Sequence, residues 1–231
     1  MKIFAIGDLH LSGHSPKPMD IFGGHWDGHW DKIRENWHAL VSENDAVLIP
    51  GDLSWAMKLS EAAVDIDEIC EMPGKKIIMR GNHDYWWSSL SQVTGLLTNN
   101  THALQNNSID LGEYVIAGTR GWLYPGFGQY DAETDEKLYK REAGRLELSL
   151  QHAKKQSPEA QIVGMMHYPP TGQAGGQTLF TGLFEEYEVQ NVVYGHLHSG
   201  SIPGALNGDV RGVHYTLVSC DALEFKLTQI I

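Results

Sequence analysis

With 231 residues, 42% of them hydrophobic and 20% charged, the chain has ordinary globular composition and material for a sizeable core. A formal net charge of −12 speaks against long nucleic acid as the main partner, because such binders present a basic face to phosphates. Two cysteines, Cys70 and Cys220, are too few for a disulfide framework, and the N-terminal apolar run is too short for a signal peptide or a membrane span; the expectation is a cytoplasmic protein with reduced thiols and no membrane partner.

In chain order, residues 2–6 form a short apolar run ending in Gly7-Asp8, the pattern of a buried strand. Residues 12–30 carry Gly, Pro, His and Trp without periodicity and are expected to form a long loop. Residues 31–43 place Ile33, Trp37, Leu40 and Val41 on one helical face. A strand over 46–49 closes at Pro50-Gly51. A helix over 60–71 has Ser60 as its expected N-cap, with Ala63, Ile66, Ile69 and Cys70 inward. A third strand covers 76–79, and 88–97 is expected to be helical. Short strands follow at 103–105, 108–111 and 114–117, then a glycine-rich aromatic loop at 118–130. The long helix 134–155 has the stripe Tyr139, Ala143, Leu146, Leu150 and Ala153. Strands at 161–166 and 189–194 flank a loop at 171–177 and a short helix near 179–187. The alternating stretches 213–218 and 223–227 predict a terminal antiparallel hairpin. Strand–helix alternation in the first half and a strand-rich second half predict an α/β (α+β) fold with two helix-covered sheets. No linker divides the chain, so one domain over 1–231 is expected. No heptad or exposed apolar stripe signals an oligomer.

Five segments place metal-type ligands just past an apolar strand: Gly7-Asp8-Leu9-His10, Gly51-Asp52, Gly81-Asn82-His83-Asp84, Met166-His167 and Gly195-His196-Leu197-His198. Sites of open α/β sheets lie outside the carboxyl ends of strands, so distant segments can meet at one edge. In extended chain, residues i and i+2 point the same way, which lets Asp8 and His10 reach one ion; His196 and His198 have the same spacing. Asp52 has lone pairs enough to bridge two ions. Asp8, His10, Asp52, Asn82, His167, His196 and His198, with water, suit two divalent ions better than one. Imidazole, carboxylate and amide donors without thiolate favour Mn, Fe or Zn in an open site over a structural zinc. Two such ions, ~3.5–4 Å apart, would clamp phosphoryl oxygens and supply a metal-bound hydroxide at neutral pH. Against two carboxylates and that hydroxide, a charge of about +1 is left to attract an anionic phosphate ester.

This ordered set, spanning residues 8–198, resembles the calcineurin-like metallophosphoesterase superfamily. The segments Gly51-Asp52-Leu53-Ser54-Trp55 and His167-Tyr168-Pro169-Pro170 resemble a bacterial branch of predicted phosphohydrolases. The resemblance implies a four-layer α-β-β-α sandwich. It implies one ion on Asp8, His10, Asp52 and His198, and another on Asp52, Asn82, His167 and His196. It also implies that His83 protonates the leaving oxygen or steadies transition-state charge, with Asp84 orienting it.

Arg120, following a strand, is a candidate phosphate contact, and His25 and His29 in the His/Trp run 23–30 are candidate rim residues. The function expected is hydrolysis of a small-molecule phosphate mono- or diester. The alternatives are a nuclease, which the acidic balance disfavours, and a non-catalytic metal-binding scaffold on the same fold, which the presence of all seven ligands and His83 disfavours.

Overall fold

In the computed structural model, which describes residues 1–17 and 19–231, the chain divides into two compact units: Met1–Ala103 with Val218–Ile231, and Leu104–Leu217. Each has its own mixed sheet and its own helices.

In the first unit, β1 (Ile3–Ala5), β2 (Ala46–Ile49) and β3 (Lys75–Met79) run parallel, followed by β4 (Thr101–Leu104), and the C-terminal strand Thr228–Gln229 pairs antiparallel with β1. Register aligns Ala5 with Leu48 and Leu48 with Ile77, so the chain leaves all three parallel strands at one edge. Near-continuous apolar strands are what a sheet buried on both faces requires. Helix α1 (His29–Leu40) buries Ile33 and Trp37, and α2 (Leu59–Cys70) buries Ala62, Ile66, Ile69 and Cys70. Each of the larger apolar side chains, such as Ile33 and Ile66, contributes about 1.5–3 kcal/mol by leaving water. Helix α3 (Leu90–Thr94) is shorter than the pattern predicts, and Ser89 caps it.

In the second unit, β5 (Ser108–Asp110), β6 (Tyr114–Thr119), β7 (Gln161–Met166), β8 (Asn191–Tyr194), β9 (Gly208–Val210) and β10 (Val213–Leu217) form a sheet in the order β5-β6-β7-β8-β10-β9. The central four are parallel and end level: Thr119 lies beside Met166, Met166 beside Tyr194, and Tyr194 beside Leu217. Helix α4 (Ala132–Gln156) buries the predicted stripe of Tyr139, Ala143, Leu146, Leu150 and Ala153. Helix α5 (Leu179–Glu186) buries Phe180 and Phe184; a Cβ at Gly164 of β7 would sit 2.8 Å from the Phe184 ring, so that strand must be bare there.

Three expectations are corrected. The alternating stretch 223–227 forms no strand: residues 223–225 lie in a turn, with Glu224 and Phe225 at φ of 52° and 59°. The hairpin is instead β9–β10, turning through Arg211 and Gly212 at φ of 48° and 82°, the backbone of a primed turn. Helix α2 begins one residue before Ser60. Lys58 is its N-cap, and the Glu61 carboxylate takes the Lys58 and Met57 N–H groups at 3.2 and 3.1 Å. The long loop 12–30 contains two 3-10 turns, Met19–Phe22 and Gly24–Trp26, and its last two residues open α1. Among the described residues no helix is long and apolar enough to cross a membrane. Both cysteines are free and buried.

Candidate functional site

In the first unit the loops after β1 and β2 are laced together by their backbones. Asp8 N–H donates to Gly51 O at 3.0 Å, His10 N–H to Asp52 O at 2.9 Å, and Leu11 N–H to Leu53 O at 2.9 Å. Asp8, His10 and Asp52 are all buried. Ligand atoms of Asp8 lie within 4.8 Å of one on Asp52 and of one on His10, and His10 Nε2 stands 3.8 Å from Asp52 Oδ2. The pairing of Asp8 with His10 does not come from extended chain. Their φ values are 58° and 48°, and Asp52 stands at 51°. Left-handed backbone at a residue with a side chain costs roughly 1–3 kcal/mol and persists where the surroundings over-determine it, as at functional sites.

The third loop is pressed against Asp52. A Cβ at Gly81 would fall 2.0 Å from Asp52 Oδ1, so only glycine fits, and Asn82 follows directly. The His83 N–H donates to Asp52 Oδ1 at 2.8 Å. The His83 ring is 5.8 Å from that of His10 and 4.6 Å from Trp55, and Trp55 stacks on His10 at 4.7 Å. Asp84 is fully buried and accepts four hydrogen bonds, from Leu53 N–H (2.9 Å), Ser54 N–H (3.1 Å), Gly81 N–H (2.7 Å) and Trp86 Nε1–H (3.0 Å). It braces the loop of Asp52 against the loop of Asn82 and His83.

Sequence patterning missed Asp65 and Trp55. Asp65 sits on the inward face of α2 and is buried; its carboxylate takes the Ser54 hydroxyl and the Gly13 N–H, the latter at 2.7 Å. Burial raises its pKa above the ordinary range, with these hydrogen bonds opposing. A carboxylate between Ala62, Ile66 and Ile69 on a helical stripe was the signal available. Trp55 forms one wall of a cavity of about 210 Å³ that also contacts His14, Lys17, Glu61 and Asp65, and the Lys17 ammonium lies 5.1 Å from the Trp55 ring centre.

His29 supports the first loop from behind, with Nε2 2.8 Å from Leu9 O, between Asp8 and His10 in sequence. Burial lowers its imidazole pKa below 6.5. The unfolded chain therefore binds this proton first as pH falls, so the contribution of His29 to stability is complete above 6.5 and is lost below it. Between about pH 7.5 and about pH 5.5, wild type should lose more unfolding free energy than His29→Gln in urea titrations; equal losses would refute the assignment. His25 is exposed, and its ring lies 6.1 Å from both Trp26 and Phe225.

The second unit carries the remaining candidate ligands, His167, His196 and His198, just past the level ends of β7 and β8. Arg120 O accepts from His167 N–H at 3.2 Å and Tyr168 N–H at 2.9 Å, and His167 O accepts from Gly195 N–H at 3.1 Å. The rings of the buried His167 and of His196 are 5.1 Å apart, with Tyr168 4.2 Å from His196. His196 has left-handed backbone, φ 75°. His198 leads into a 3-10 turn over Ser199–Gly204. The Arg120 guanidinium is 3.8 Å from the buried Glu142 carboxylate and lies over the Trp122 ring at 4.8 Å. Arg145 and Thr119 also reach Glu142, at 2.6 and 2.7 Å.

The donor set fits divalent cations. Two buried carboxylates with oxygens this close repel each other, and a cation bound between them relieves that cost. Hard oxygens beside imidazole nitrogens suit Mn, Fe or Zn.

The family model described as calcineurin-like phosphoesterase matches residues 1–200, which include every candidate ligand. Among solved structures, a protein of unknown function from Aquifex aeolicus, AQ665, is similar in fold, with a TM-score of 0.52 at 13% identity over 99% of this chain and 95% of that one. No curated protein matches the sequence.

Proposed function

The chain belongs to the calcineurin-like phosphoesterase family, whose members are metal-dependent phosphoesterases, and from that premise we propose that it hydrolyses a small-molecule phosphate mono- or diester with two divalent ions. In this reading the two units act as one catalytic domain over residues 1–231. Asp8, His10, Asp52 and His198 hold one ion, and Asp52, Asn82, His167 and His196 hold the other. Bound ions supply Lewis acidity and a nucleophile at neutral pH.

The protein's own groups do the rest. His83, held by its backbone on Asp52, delivers a proton to the departing ester oxygen. Asp84 positions His83 through the loop that it braces. Arg120, its guanidinium steadied by Glu142, is the candidate contact for a phosphate oxygen. The observation that carries the reading is Asp52: one buried carboxylate touches the candidate acid's backbone and approaches both Asp8 and His10.

The test is a panel of phosphomonoesters and phosphodiesters offered to protein stripped by chelator and then reloaded singly with Mn²⁺, Fe²⁺ or Zn²⁺. Stripping should abolish turnover and one metal should restore it. Failure of every metal on every ester would favour the scaffold alternative.

A further inference from the structure

The second unit holds a cavity of about 360 Å³, walled in part by Tyr124, Phe127, Gly128, Thr171, Leu197 and Ser201. That volume lies within the roughly 300–1,000 Å³ of small-molecule sites. The cavity adjoins a loop that carries two candidate ligands. Leu197 separates His196 from His198, and the Ser201 hydroxyl accepts from His198 N–H at 2.9 Å while donating to His198 O at 2.6 Å.

Its lining differs in charge from that of the cavity beside Trp55. In a chain of formal net charge −12, no side chain among the described lining residues is charged. The cavity beside Trp55, by contrast, is lined by Lys17, Glu61 and Asp65. A charged substituent entering the uncharged cavity would shed water without meeting a counter-charge.

What the walls offer is aromatic surface. The Tyr124 and Phe127 rings stand edge to face at 5.5 Å, a geometry that aromatic rings favour. The Thr171 hydroxyl already donates to Gly176 O at 2.6 Å, and Ser201 donates to His198 O, so each faces a ligand as an acceptor. Glycine keeps the walls thin. A Cβ at Gly172 would come within 3.1 Å of Tyr124 Oη, whereas one at Gly128 would meet nothing within 4 Å.

We propose that this cavity receives the organic group of the substrate and selects a planar, uncharged ring joined to the phosphoryl group, an assignment that rests on the phosphoesterase reading above. A nucleobase and a simple aryl group share this chemistry.

The experiment has a binding arm and a kinetic arm, both on the full chain. In the binding arm, adenosine and phenol are titrated into metal-free protein and followed by ligand-observed NMR. At least one should bind wild type. Gly128→Leu, which adds a bulky side chain to a lining residue, and Phe127→Ala, which removes a ring, should each weaken that binding roughly tenfold with an unchanged unfolding midpoint. Whichever ring binds names the source. In the kinetic arm, Gly128→Leu should raise KM for adenosine 5′-monophosphate or phenyl phosphate about tenfold at constant kcat and leave KM for glycerol 3-phosphate within about twofold. Equal KM changes for ring and non-ring substrates, or ring binding untouched by both variants, would overturn the proposal. If wild type hydrolyses no ester, the phosphoesterase reading falls, and the binding arm still decides whether the cavity takes a ring.

Discussion

Asp52→Asn is expected to lower kcat/KM for 4-nitrophenyl phosphate on the order of 10³-fold while the fold survives. The substitution keeps the shape of the side chain and, through its carbonyl oxygen, the acceptor for His83 N–H. It also keeps a residue that tolerates the left-handed backbone at φ 51°. One carboxylate oxygen becomes an NH2 donor and the negative charge is lost, which removes the properties needed to hold two cations. Without metal, the variant should melt no lower than wild type, because it removes a buried charge whose oxygen lies within 4.8 Å of a ligand atom of Asp8. Steady-state kinetics with thermal melts of the metal-free forms check both halves. Retention of more than about a tenth of wild-type activity would remove Asp52 from the chemistry.

The second large effect concerns stability. Asp84→Ala strands the N–H groups of Leu53, Ser54, Gly81 and the Trp86 indole in a fully buried position. A stranded buried donor costs about 1–3 kcal/mol, so four should cost at least about 4 kcal/mol. For a chain of this size that corresponds to a drop of roughly 8–16 °C in the unfolding midpoint. Activity should fall as well, since the braced loops carry Asp52, Asn82 and His83. A role confined to steering the His83 ring predicts the opposite split, lost activity with an unmoved midpoint. Differential scanning calorimetry beside a fixed-substrate assay separates the two.

The legible parts of the fold were those in which one physical signal dominated. The α4 stripe was readable because a 25-residue amphipathic helix repeats its apolar period many times. The strand-end motifs were readable because each parallel strand is a short apolar run broken by Gly and Asp. Short-range turn chemistry was not readable. Phe225 in a turn and Leu227 just after it are both buried, and they imitate the alternation of a strand. The true β9–β10 turn begins with Arg211 in left-handed backbone, where Asn or Asp would have announced it. Ser60 looked like a cap because capping is a local preference, and the Glu61 carboxylate prevailed by closing on Lys58 N–H. At the site, residue types were visible and their support was not. Nothing in a linear pattern connects Asp65 to Ser54 or His29 to Leu9, since those bonds join residues brought close by packing alone.

Asp8, His10, Asp52 and His196 all take left-handed backbone, and this has an evolutionary corollary. At these four positions the chain is more at ease with glycine, or with asparagine, than with what it carries. Selection for folding alone would erode them in that direction, and each replacement would disarm the site as it relaxed the backbone. A descendant that has abandoned the chemistry should therefore betray itself by Gly or Asn at these corners, on an otherwise unaltered scaffold.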